Sequence, residues 1–335
     1  MMESVINSTE PIIYLGPFQG ITDVFYRNLF RQYVGGIDKY YTPFFTGFVN
    51  FSAGRARVSE IDPDLNDVET TVPQILSKDA DEIIHFAERC KVLGYKEINW
   101  NLGCPYPRVA NKKRGSGLLS HPDVIESILG RLDGNLAIGM GVKCRLGYLS
   151  ADEFDKLLPV FNSFPLTELT VHARIGKQLY KGSVYESDFI QLIGKTNANL
   201  VYNGDVFSVR DYNHFNEAFH SLKYWMIGRG LLANPFLALE MKDHCILNND
   251  EKKEIVRKFM HELFQIRLKN ANGNLSALGR MKELWSYLVW SFGSPLIAWR
   301  LIRKARNLEE YESAVNEVFS ELGWKGFGFE SDRSW

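Results

Sequence analysis

Short apolar runs recur along the chain between residues 12 and 227, separated by stretches with helical spacing of apolar positions. The runs predict strands at residues 12–15, 38–42, 71–76, 97–101, 138–145, 166–172, 200–203 and 224–227. Their lengths suit strands rather than helices. The intervening patterns predict helices at 81–93, 122–132, 152–161, 208–219 and 231–245. In the first of these, Ile83, Ile84, Phe86 and Ala87 carry the apolar side. Gly94 then supplies a stop, because glycine enters the left-handed conformation at little cost. Strand and helix alternating in this way predict an α/β protein with a closed (β/α)8 TIM barrel. An open doubly wound sheet is the competitor, but no Gly-x-Gly-x-x-Gly follows the first strand to mark one. After about residue 248 the strand signal stops, and 252–268, 276–290, 295–306 and 309–322 read as helices. The expected division is a barrel over 11–247 and a helical domain over 250–325.

Composition narrows the class. The chain has 335 residues, 45% of them hydrophobic, enough for a full core. No apolar run is long enough to span a bilayer. The first ten residues hold two glutamates and no apolar core, unlike a secretory signal. Cys90, Cys104, Cys144 and Cys245 are scattered and form neither a disulfide framework nor a zinc pattern, so no metal is expected. A reducing cytoplasm fits best. Nothing indicates an oligomer, and a monomer is expected. A net charge of −1 argues against a general nucleic-acid binder. Two stretches depart from that balance. Between Leu102 and Pro122 there is no acid, while Arg108, Lys112, Lys113 and Arg114 are basic. Between Ala173 and Tyr185 there is again none, with Arg174, Lys177 and Lys181 present. Both stretches follow predicted strands and so share one mouth of a barrel. Two acid-free basic loops on one rim suit a polyanionic ligand.

The candidate chemistry sits at the strand ends, where barrels place it. In order these are Pro17, Thr42, Gln74, Asn101, Lys143 with Arg145, His172, Asn203 and Gly228-Arg229-Gly230. Taken singly, each has a plain structural explanation; a lone histidine is as often a satisfied core group. Together they describe a polar ring on an apolar barrel. Lys143 and Arg145 share a face by strand alternation and Cys144 takes the other. A cation there needs an anion or an electron-rich ligand. Asn203-Gly204-Asp205 and Gly228-Arg229-Gly230 end the last two strands, where barrels commonly hold phosphate on backbone N–H groups. A phosphorylated cofactor, and flavin mononucleotide (FMN) in particular, fits. Asn101-Leu102-Gly103-Cys104-Pro105 sets a cysteine in the loop after a strand, a position suited to catalysis.

These motifs resemble the tRNA-dihydrouridine synthase family over nearly the whole length. Gly16 to Asp23, the Asn101–Pro105 loop with Lys112 and Gly115 to Leu118, Val142 to Gly147, and His172-Ala173-Arg174 with Gln178, Tyr180 and Gly182 match in order. Asn203-Gly204-Asp205, Ile227 to Gly230, and the tail with Met281-Lys282, Trp285 and Tyr287 complete the match. The resemblance implies reduction of a tRNA uridine to 5,6-dihydrouridine, with NADPH (or NADH) reducing FMN. Hydride goes to uridine C6, and Cys104 protonates C5. It further implies that Pro17, Gln74, Lys143, His172, Asn203, Gly204, Asp205, Gly228 and Arg229 hold the flavin. Asn101, Arg108, Lys112, Lys113, Arg114, Arg145, Arg174, Arg280 and Lys282 would meet the uracil or the tRNA. Gly16, Phe18, Ser77, Ile175 and Tyr202 depart from the family pattern. Alternation turns Tyr202 away from the mouth. Two alternatives remain: an FMN-dependent dehydrogenase of a free pyrimidine, akin to dihydroorotate or dihydropyrimidine dehydrogenase, and a non-catalytic RNA-binding barrel.

Overall fold

The structure is a computed structural model, and it describes residues 10–48, 58–220, 222–270 and 273–326. Its strands are β1 (Ile12–Leu15), β2 (Lys39–Tyr41), β3 (Thr71–Val72), β4 (Gln74–Ile75), β5 (Glu97–Leu102), β6 (Gly139–Gly147), β7 (Glu168–Ile175), β8 (Asn199–Asn203) and β9 (Tyr224–Ile227). All pair in parallel, in the order β3-β2-β1-β9-β8-β7-β6-β5-β4. The run expected as one strand at 71–76 is two. Pro73 separates them, having no N–H to give to a ladder. β3 pairs with β2 and β4 with β5, so this single crossing stretch joins the two ends of the sheet into a barrel.

Helices follow the strands: α1 (Val24–Tyr33), α2 (Ala80–Val92), α3 (Pro107–Ala110), α4 (Pro122–Leu132), α5 (Phe154–Asn162), α6 (Glu186–Ile190), α7 (Val209–Ala218), α8 (Arg229–Ala233) and α9 (Leu237–Met241). The caps are visible in the sequence. Asp23 accepts from the Tyr26 N–H, Asp79 from the Asp81 and Glu82 N–H groups, and Ser208 from the Asp211 N–H. The helix expected over 231–245 is α8 and α9, broken at Asn234-Pro235. Helix α1 was not foreseen.

Alternation decides what each strand residue sees. Ile13, Leu15, Ile98, Trp100, Leu102, Val142, Cys144, Leu169, Val171, Tyr202 and Trp225 belong to a large apolar cluster with the helices. Tyr14, Tyr41, Val72, Val201 and Met226 form a separate small one. They have the opposite parity and fill the barrel interior. The interior also holds ions, which the pattern of apolar runs did not reveal. Lys39 bonds Glu97 and, at 3.2 Å, Glu168, and Glu168 also accepts from the Tyr41 hydroxyl. Burial raises the Glu168 pKa, opposed by the Lys39 ammonium.

The last four helices are α10 (Asn249–Asn270), α11 (Asn274–Leu288), α12 (Pro295–Lys304) and α13 (Leu308–Glu321). Their core residues belong to the same apolar cluster as the barrel's outer face. The seam is specific: Phe259 packs edge-on against Tyr26 at 5.4 Å, and Tyr33 donates to Glu262 at 2.6 Å. The buried Arg267 donates to the Ile21 carbonyl at 2.7 Å and reaches Asp23 at 3.3 Å. Among the described residues no helix is long and apolar enough to cross a membrane.

Candidate active site at the barrel mouth

Cys104 lies in the turn after β5, buried at 9% exposure. Two devices hold it. The Asn101 carboxamide oxygen accepts from the Gly103 and Cys104 N–H groups, each at 3.0 Å. The Cys104 carbonyl accepts from the Ser116 N–H at 3.0 Å and its hydroxyl at 3.1 Å. This second contact brings the 115–118 turn against the cysteine. Gly115 makes it possible: its φ is +54°, and a Cβ there would lie 2.7 Å from the Cys104 carbonyl oxygen. Burial raises the Cys104 pKa despite Arg145, Arg108 and Lys143 nearby. The sulfur is therefore a neutral thiol, able to give up a proton in a reaction.

On β6, Lys143 is partly accessible from the mouth and donates to the Asn203 carboxamide at 2.8 Å. That partner is neutral. Burial, reinforced by Arg145, lowers the Lys143 pKa to about 8. Next along the ring, His172 is 6% exposed, and its Nε2 lies 3.4 Å from an Arg174 nitrogen. Burial and four cations, Arg145, Lys143, Arg174 and Arg229, push its pKa well down, so the imidazole is neutral. Among the described residues, Asp205 is the carboxylate hydrogen-bonded to two of these arginines. Asp205 accepts from Arg174 at 2.7 and 2.5 Å and from Arg229 at 2.7 Å. The site thus carries a surplus of positive charge, the field an anionic ligand needs.

Glycine and aromatic residues shape the remaining wall. A Cβ on Gly228 would stand 2.7 Å from the Phe18 ring, so only glycine lets β9 end against it. Phe18 in turn meets Tyr287 of α11 edge-on at 5.7 Å. Tyr180 receives the Arg229 guanidinium at 4.9 Å and that of Arg145 at 5.3 Å over its ring. Tyr106, beside Cys104, is 54% exposed. Phe18 is expected from the sequence to line the flavin, whereas Tyr106, Tyr180 and Tyr287 are not among the candidates drawn from it. Tyr180 and Tyr287 stand inside the recognised motifs, which was the available signal.

Most candidates gather at this mouth: Cys104, Asn101, Pro17, Lys143, His172, Asn203, Gly204, Gly228 and Arg229 line one ring at the strand C-termini. Five take places other than those expected. Gln74 has no accessible surface; its amide donates to Asn99 at 2.8 Å and accepts from Asn101 at 2.7 Å, so it supports the ring from beneath. Asp205 is an ion-pair partner of two arginines, Arg174 and Arg229. Arg145 is 1% exposed and donates to the Gly103, Ile175 and Leu179 carbonyls. Arg174 is also 1% exposed, held by Asp205 and the Gly182 carbonyl. Both clamp rim loops and neither presents a surface to tRNA. Lys282 is bound to the Ala305 and Arg303 carbonyls at the end of α12. By contrast Arg108, Lys112 and Lys113 are exposed on the Cys104 side, with Arg114 half-buried behind them. Arg280 is exposed on α11, 3.6 Å from Asp23. Tyr202 does turn outward, into Phe189, Phe215, Phe219 and Trp225. Ser77 bonds Glu82 and the Asp79 N–H, serving the start of α2.

Comparison with known proteins agrees with this geometry. The dihydrouridine synthase family model matches residues 14–322. A tRNA-dihydrouridine(16) synthase of Neisseria meningitidis serogroup B is 26% identical over 322 residues, covering 92% of this chain and 95% of its own. A probable tRNA-dihydrouridine synthase of Staphylococcus aureus is 27% identical over 296 residues, covering 78% of this chain and 86% of its own. Among solved structures, a morphinone reductase mutant in complex with tetrahydroNAD aligns with a TM-score of 0.45 and 11% identity, over 71% of this chain and 88% of that one. It is too distant to bear on the chemistry. The family match spans barrel and helical tail alike, and on it, with the cysteine loop and the cationic ring, the chain belongs to the dihydrouridine synthase family.

Proposed function

We propose that this protein reduces the C5–C6 bond of uridines in tRNA to 5,6-dihydrouridine, using FMN and NADPH or NADH. The observation that carries the reading is Lys143: a lysine at the barrel mouth whose hydrogen-bond partner is neutral, next to a loop that holds a neutral thiol. A cation so placed calls for an anionic or electron-rich ligand. The donor set suits FMN. Lys143 and Asn203 would face the ring system, and Gly204, Gly228 and Arg229 the phosphate. FMN supplies the hydride when bound.

The chain's own residues supply the rest. Cys104 gives its proton to uridine C5, and Asn101 orients the uracil edge while fixing the Cys104 turn. Neutral His172 offers a hydrogen bond without adding charge. Asp205 keeps Arg229 aimed across the mouth. A uridine must leave its stack to reach Cys104, at a cost of a few kcal/mol. Exposed Arg108, Lys112 and Lys113, with Arg280 on α11, would hold the surrounding backbone.

The test is dihydrouridine formation in unmodified tRNA with protein, FMN and NADPH, followed by mapping of the modified position. Product supports the reading. A flavoprotein that oxidises NADPH with free pyrimidines but not with tRNA would transfer the reading to a pyrimidine dehydrogenase. Absence of both flavin and product would end the enzyme reading.

A further inference from the structure

Beneath the mouth, three side-chain amides run in line from the barrel interior to the cysteine turn. The Gln74 amide nitrogen donates to the Asn99 oxygen at 2.8 Å, and the Asn101 amide nitrogen donates to the Gln74 oxygen at 2.7 Å. The Asn101 oxygen accepts from the backbone of Gly103 and Cys104. The direction of this chain is forced. Backbone N–H groups only donate, so the oxygen of Asn101 must face them and its NH2 must face Gln74. Gln74 must then turn its oxygen to Asn101 and its NH2 inward. The last group, at position 99, must be an acceptor.

Asn99 meets that demand at a cost. It is fully buried, and its own amide nitrogen has no hydrogen-bond partner among the described residues. An unmet buried donor is destabilising. Asn99 pairs across the ladder with Gly141, so closely that a Cβ on Gly141 would stand 3.4 Å from that nitrogen. The nitrogen costs stability, and the use of the amide is the acceptor it offers to Gln74.

We propose that Asn99 is a positioning residue: by accepting from Gln74 it holds the Gln74 oxygen against the Asn101 amide, and so braces the Cys104 turn from beneath. Asn99 touches neither Cys104 nor the mouth, so it acts through the two amides alone. The proposal depends on the reading above only in giving Cys104 the proton transfer.

The test compares Asn99→Leu, which fills the space without an acceptor, with Asn99→Asp, which keeps an acceptor oxygen in place. Three quantities are measured on the full-length flavoprotein: the alkylation rate of Cys104 by iodoacetamide, read by peptide mass; kcat and KM with tRNA; and Tm. Loss of one hydrogen bond in the chain corresponds to roughly tenfold. In Asn99→Leu, Cys104 alkylation should rise about tenfold and kcat fall by a similar factor, with KM for tRNA unchanged. Asn99→Asp should return both toward the parent. Should Asn99→Leu fail to fold, Asn99→Ala takes its place in the comparison. Unchanged alkylation without the acceptor, or an Asp variant as impaired as the Leu variant, overturns the proposal. Faster alkylation in a protein that makes no dihydrouridine would instead count against the tRNA reading while leaving the positioning role standing.

Discussion

Replacing Asp205 by asparagine removes one negative charge from the centre of the site and keeps the shape of the side chain. Two cations lose their partner together: Arg174, whose side chain is 2% exposed, and Arg229, at 10%. Arg145, Lys143 and His172 lie in the same field. Removing one partner of a buried ion pair costs about 3–5 kcal/mol. Asp205 itself is 27% exposed, and solvent screens part of the effect, so about 3 kcal/mol is expected. For 335 residues the unfolding entropy is roughly 0.7 kcal/mol per kelvin, which converts that loss to a Tm lowered by about 4 °C. The assay is thermal unfolding of flavin-free protein, with and without inorganic phosphate. Phosphate should recover more of the stability in Asp205→Asn than in the parent, because the anion replaces the missing charge. A Tm within 1 °C of the parent would show that the arginines do not depend on Asp205, and the charge account of the site would fall.

Cys104→Ala should slow dihydrouridine formation by roughly 100-fold or more, the usual worth of a general acid, while flavin content and NADPH oxidation stay near the parent; equal product yield would remove Cys104 from the reaction. Gly115→Ala forces a side chain into a left-handed backbone position and against the Cys104 carbonyl. It should lower stability by about 2 kcal/mol and kcat at least tenfold, measured by denaturant unfolding and tRNA turnover. Lys143, held near 8 against an ordinary 10.5, binds fewer protons folded than unfolded between those values. Stability of the flavin-free protein should therefore rise from pH 8 toward 10.5, where the cost of burying the charge disappears. If turnover uses the ammonium, it should fall at alkaline pH, above 8 because a bound anionic or electron-rich ligand raises the lysine's pKa. Lys143→Arg should move that fall to higher pH, and a profile identical to the parent would exclude Lys143.

Much of this was open to a reader of the sequence. Strand positions, except the break at Pro73, and the order of motifs follow from local pattern, because apolar runs and their spacing are properties of neighbouring residues. The same alternation that places Lys143 inside and Cys144 outside on β6 can be read from two adjacent letters. Cys104 was legible because its loop follows a strand directly. Other features depend on residues far apart. Asn99, Gln74 and Asn101 become one chain only when β4 lies beside β5. Nothing in the local sequence pairs Lys39 with Glu97 and Glu168, or tells an exposed Arg108 from Arg145 and Arg174, buried to 1%. The basic loops looked uniform in composition, yet some arginines clamp carbonyls while others face solvent. Whether a charge binds a ligand or binds its own protein is set by what surrounds it in space. The sequence by itself determined the barrel, the mouth and the cysteine upon it. Tertiary structure alone decided which polar groups face that mouth and which hold it in shape, because hydrogen bonds and ion pairs join strands that the chain keeps apart.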